Sequence, residues 1–133
     1  MHSVVHLLKS TTFPSVKRLN LETIQVNLGY LFTPSCTHCH VNAGPNRTEL
    51  MQDEQIDQLI TLMNQGWVKK LDLTGGAPEM NPRFKRLVVA ARKAGVHVID
   101  RCNLTILSEP GYEDLAQFLA DNEVEIFASL PCY

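Results

Sequence analysis

The chain has 133 residues, 44% of them hydrophobic and 20% charged, an ordinary globular composition long enough for one domain with a real core. Its formal net charge of -2 makes no electrostatic case for binding nucleic acid or an anionic membrane. No run approaches the roughly 20 apolar residues of a membrane span, and the short apolar stretch in Met1–Leu8, broken by His2 and His6, lacks the small-residue cleavage site of a secretion signal.

Residues Met1 to about Arg18, with Ser, Thr and Pro14, read as a loosely structured lead-in to one domain over 19–133. Thr23-Ile24-Gln25-Val26-Asn27-Leu28 alternates apolar and polar residues and predicts a strand. The polar segment Thr33–Thr48 is too long for a tight turn, and loops of this length in compact domains are usually functional. Ile56, Leu59, Ile60 and Met63 then fall at helical spacing, with Asp53 and Glu54 favouring the start and Gly66 the stop. Lys70–Thr74 predicts a second strand, ending at Gly75-Gly76-Ala77-Pro78-Glu79. A second helix is expected from about Pro82 to Ala94, capped by Gly95, with Phe84, Leu87, Val88 and Ala91 on one face. The basic residues Arg83, Lys85, Arg86, Arg92 and Lys93 make its wet face. Val96–Asp100 predicts a third strand, Tyr112–Asp121 a third helix and Val124–Leu130 a fourth strand. Strand–helix alternation implies an α/β fold with a parallel sheet, either an open doubly wound sheet or part of a barrel. The fourth strand is followed by no covering helix, so the chain reads as truncated.

Four cysteines, Cys36, Cys39, Cys102 and Cys132, permit two disulfides. Without a secretion signal the default is a cytoplasmic protein with reduced thiols, where paired cysteines point to metal, cluster or redox chemistry. Parallel α/β folds bind ligands at the C-terminal ends of their strands, and all four cysteines follow such an end. Cys36-Thr37-His38-Cys39 is a spacing that turns both sulfurs toward one ion, as in zinc and iron–sulfur sites. His40 completes a formal c-type haem string, which an exported and usually helical protein would need. His38 and His40 are candidate extra ligands or ordinary solvated histidines. Gly75-Gly76 lets a ligand approach the backbone, with free amides to hold a carboxylate, or is simply a tight turn. Glu79 offers an acceptor for an ammonium, or only complements the following helix N-terminus. Taken singly, Cys102 and Cys132 read as small buried residues; their shared end with Cys36 and Cys39 favours a role in a site.

Five blocks then agree in order and spacing with one family. Asn27–Tyr30, Ser35–Pro45, Leu71–Glu79, Asp100–Thr105 and Ala128–Tyr133 together resemble the radical S-adenosylmethionine proteins of the arsenosugar-biosynthesis type, over nearly everything from about Leu21 to Tyr133. The resemblance implies the N-terminal portion of a partial (β/α)6 TIM-like barrel, about four parallel strands alternating with three helices. It implies a [4Fe–4S] cluster held by three cysteines, S-adenosyl-L-methionine on the fourth iron, an external electron donor and a 5′-deoxyadenosyl radical. It further implies a small-molecule substrate, an arsenical in this branch. Cys36 and Cys39 would be the second and third cluster ligands, His38 would lie beside the adenine, and Thr74, Gly75 and Gly76 would line the methionine end of the cofactor. The family continues into further strands and a Cys-rich region.

One position departs from the pattern. The first cluster cysteine should stand four residues before Cys36, and this chain has Phe32. Three readings compete. The chain keeps the fold without the chemistry, which is favoured; Cys102 or Cys132 supplies the missing thiolate; or the four cysteines hold zinc in a structural, non-catalytic module.

Overall fold

The computed structural model describes residues 15–32 and 43–128. Cys36, His38, Cys39, His40 and Cys132 lie outside the described residues, as do most of the lead-in and the end of the expected fourth strand. The elements run β1 (Thr23–Asn27), α1 (Asp53–Met63), β2 (Lys70–Thr74), α2 (Phe84–Lys93), β3 (His97–Asp100), α3 (Leu115–Asp121) and β4 (Glu125–Ile126). All four strands are parallel and lie in the order β1-β2-β3-β4. A doubly wound sheet reverses its order at a switch point; an unbroken sequential order is that of a barrel segment.

Alternation along the strands divides the sheet into two faces. Val26, Leu71, Leu73, Val96 and Val98 turn one way and form a single core with Ile56 and Met63 of α1, Phe84, Leu87, Val88 and Ala91 of α2, and Leu115 and Leu119 of α3. The helical periodicity of the sequence is thus the packing face of each helix. The opposite face carries Gln25, Asp72, Thr74, Ile99 and Arg101, which in a barrel is the inner wall. On the solvent side of the helices the basic residues pair with neighbouring acids, Arg83 and Arg86 with Asp53, Arg86 also with Asp57, Lys85 with Asp114 and Arg92 with Glu123. Exposed pairs of this kind contribute little each.

Four differences from the sequence expectation have local causes. The second helix starts at Phe84 because Pro78–Met80 makes a separate 3-10 turn, after which Asn81 is extended. Residues 113 and 114 precede the third helix as a turn, and it starts at Leu115. A 3-10 segment, Leu104–Ser108, follows β3, its first turn closed by the Asn103 side chain accepting from the Thr105 amide. Among the described residues the fourth strand pairs over Glu125–Ile126, where its partners Ile99 and Asp100 end β3. No described helix is long and apolar enough to cross a membrane.

Candidate functional site at the C-terminal strand ends

The chain leaving β1 is held on both sides by backbone hydrogen bonds. The amide of Tyr30 donates to the carbonyl of Glu49 (3.0 Å), Gly44 to Tyr30 (3.0 Å) and Phe32 to Gly44 (3.3 Å). On the other side Gly76 donates to Gly29 (2.9 Å) and Ala77 to Leu31 (3.0 Å). The segment 29–32 is therefore sandwiched between the returning chain and the turn after β2. The stem, between whose ends the sequence carries Cys36 and Cys39, packs directly on Gly75 and Gly76.

Contact is close enough to require the glycines. A Cβ on Gly75, whose φ is +147°, would stand 2.5 Å from the carbonyl oxygen of Gly29, and one on Gly76 2.5 Å from that of Leu31. Of the two amides expected to be free, that of Gly76 is taken by the stem, as is that of Ala77. Among the described residues nothing donates to the carbonyl oxygens of Gly75 and Gly76. What the turn offers a ligand is acceptors and space, together with the half-buried Thr74.

Phe32 ends the stem. Its side chain is buried (7% exposed) against Ala43 and Ala77, with Met80 packed on the group. The position where the resemblance leads one to expect a cluster cysteine is thus a small apolar cluster joining stem and turn. The described residues do not supply a third thiolate there.

Asp72 organises the inner wall. It accepts two hydrogen bonds from Arg101 (Nε to Oδ1 and a terminal guanidinium nitrogen to Oδ2, both 2.8 Å) and one from Gln25 (3.0 Å). The Arg101 hydrogen bonds, helped by Gln25 and opposed by burial, hold its carboxyl below the ordinary aspartate value. A lowered folded pKa stabilises the fold above the unfolded value, and that stabilisation is lost as pH falls through the folded one. Arg101→Met is expected to raise the Asp72 pKa, read by carboxyl carbon NMR. It should also flatten the loss of urea resistance below about pH 4. An unchanged Asp72 titration would refute the assignment.

Behind the sheet stands a second polar group that the sequence did not single out as a unit. Glu79, Asp100 and Cys102 are all buried, with one ligand-type atom from each lying within 4.8 Å of the others. Burial, reinforced by the charge of Glu79, pushes the Asp100 carboxyl up to about 9. Burial also raises Glu79, and burial with the neighbouring Glu79 raises the Cys102 thiol. Tyr112 is raised by burial and by the same Glu79. Glu79 therefore does not face an open ligand space, contrary to one sequence reading. Cys102 is part of the helix-side core and stands on the side of the sheet opposite to Asp72 and Arg101.

The model of the radical SAM superfamily matches residues 33–129, most of the chain. The chain belongs to the radical SAM superfamily. No curated protein matches it significantly. Radical SAM proteins in general pair S-adenosylmethionine with an iron–sulfur cluster, and the parallel sheet seen here is consistent with a partial radical SAM barrel. The matched span contains Cys36 and Cys39 and starts immediately after Phe32. Within that radical SAM frame, Thr74, Gly75 and Gly76 are together at the loop stem, whereas Cys102 faces away to the helix layer. The polar row of Gln25, Asp72 and Arg101 was missed in the sequence; its signal was the alternation that puts residues 25, 72 and 101 on one face.

Proposed function

We propose that this chain is an S-adenosylmethionine-binding protein of the arsenosugar-biosynthesis branch of the radical SAM superfamily, cytoplasmic, with a cysteine loop one thiolate short of the family's [4Fe–4S] ligand set. The observation that carries the reading is the packing of the Cys36–Cys39 loop stem on Gly75 and Gly76. It supports a site in which the loop and the glycine turn act on one ligand. The carbonyls of Gly75 and Gly76 and the Thr74 hydroxyl would receive the methionine ammonium, His38 would flank the adenine, and Cys36 and Cys39 would hold metal. The five sequence blocks support the branch, and with it a small arsenical substrate and an external electron donor. The residues present do not complete the cluster, so no radical step is assigned to this chain.

Equilibrium dialysis with labelled S-adenosylmethionine, alongside anaerobic reconstitution with iron and sulfide, tests this. Binding is expected, and Gly76→Val should abolish it, since its side chain collides with the stem. A folded Thr74→Ala variant should bind more weakly. A chain that binds no S-adenosylmethionine refutes the proposal. A stable cubane cluster in the unsubstituted chain refutes the missing-ligand part.

A further inference from the structure

The Glu79, Asp100 and Cys102 cluster is not explained by packing. Asp100 and Cys102 are two apart in extended chain and so share a face, while the 3-10 turn Pro78–Met80 brings Glu79 over them. Glu79 is 5% exposed and Asp100 0%, and none of their four carboxylate oxygens has a hydrogen-bond partner among the described residues. Arg101, the basic residue next in sequence, turns to the other face and is occupied by Asp72. Two buried carboxyl groups without donors are costly unless something neutralises them together.

We propose that Glu79, Asp100 and Cys102 form a binding site for one thiophilic divalent cation of the zinc type, on the helix side of the sheet and made without Cys36 and Cys39. The donor set selects the ion. Hard cations such as calcium and magnesium take oxygen ligands alone, whereas one thiolate with two carboxylates suits a borderline-soft ion. Three protein donors leave a fourth tetrahedral position, as in zinc sites that retain a water. In the ion-free fold burial favours the protonated form of each of the three groups. Coordination forms two metal–oxygen bonds and one metal–sulfur bond, and the displaced protons pass to solvent. No electron is transferred. Affinity therefore rises with pH.

The test uses the full chain carrying Cys36→Ser, Cys39→Ser and Cys132→Ser, in which Cys102 is the remaining thiol. Anaerobic titration with cobalt(II), then displacement by zinc, is followed by absorbance. We expect one equivalent of cobalt, a single-thiolate charge-transfer band and proton release. Cys102→Ser removes the band. Asp100→Asn or Glu79→Gln weakens binding by on the order of ten-fold or more, the scale that even outer-shell partners of a metal reach. A second measurement guards against misfolding of the multiple variant. In the chain with its cysteines intact, zinc raises the melting temperature, and Asp100→Asn, a neutral isostere, shows a smaller rise while staying folded by circular dichroism. Absence of the band, its persistence in the Cys102→Ser variant, or an equal zinc response in Asp100→Asn overturns the site. Each of those outcomes leaves Glu79 and Asp100 as an acid pair sharing a proton. Failure here is independent of S-adenosylmethionine binding, which is read by dialysis.

Discussion

Phe32→Cys is expected to weaken the fold while restoring a missing capacity. Phe32 is buried against Ala43 and Ala77 at the loop stem. Shrinking it leaves a cavity where stem and turn meet, costing about 2–3 kcal/mol, toward the low end for loss of a large aromatic because its neighbours are few and small. The same substitution places a third thiol four residues before Cys36, in the spacing of the family's cluster loop. Anaerobic reconstitution should give the variant an iron–sulfur chromophore and, after reduction, a paramagnetic signal that the parent chain lacks. Urea denaturation of the unreconstituted proteins measures the cost. If the variant is destabilised and still assembles no cluster, Phe32 is not the reason the loop falls short. If both chains assemble one equally, another residue supplies the ligand.

Asn81→Ala is expected to be the most damaging single change outside the apolar core. The Asn81 amide nitrogen donates to the carbonyls of Leu28 (2.9 Å) and Met51 (3.0 Å), and its oxygen accepts from the Arg83 amide (2.9 Å). One side chain, 2% exposed, thereby ties the end of β1 to the approaches of α1 and α2. Three hydrogen bonds at roughly 1 kcal/mol each, with buried backbone groups deprived of a partner, predict a loss of about 2–4 kcal/mol. Asn81→Asp should be no better, because its carboxylate would turn acceptors toward two carbonyls. A shift in urea midpoint within experimental error for Asn81→Ala would show that the tie is not needed.

Which features could be read from sequence follows from the range of the interactions involved. The three helices and first three strands were legible because burial imposes a period: Ile56 and Met63, Phe84 to Ala91, and Leu71 with Leu73 mark their faces without knowledge of their partners. Periodicity left open sheet and barrel undecided, since strand order is set by pairings distant in sequence; the five-block resemblance implied the barrel, and the sequential strand order agrees with it. At the site, Thr74, Gly75 and Gly76 were visible as a special turn, but the partners of the Gly76 and Ala77 amides were not. Gly29 and Leu31 lie more than forty residues upstream, and only the folded chain shows them taking those hydrogen bonds. The same limit hid the inner-wall row of Gln25, Asp72 and Arg101, each member unremarkable alone. Glu79 was read as an acceptor for an ammonium or a complement to the following helix N-terminus; its burial was not legible, because the 3-10 turn folds it inward.

The sequential strand order bears on how the polypeptide is made. β2 pairs with β1, β3 with β2 and β4 with β3. Each strand that emerges from the ribosome therefore finds its template already synthesised, one strand–helix unit upstream. Loop closure is confined to one strand–helix unit at a time, which keeps the entropic cost of each step small. Assembly can proceed in the direction of translation, with every added helix covering the apolar face its strand has just created.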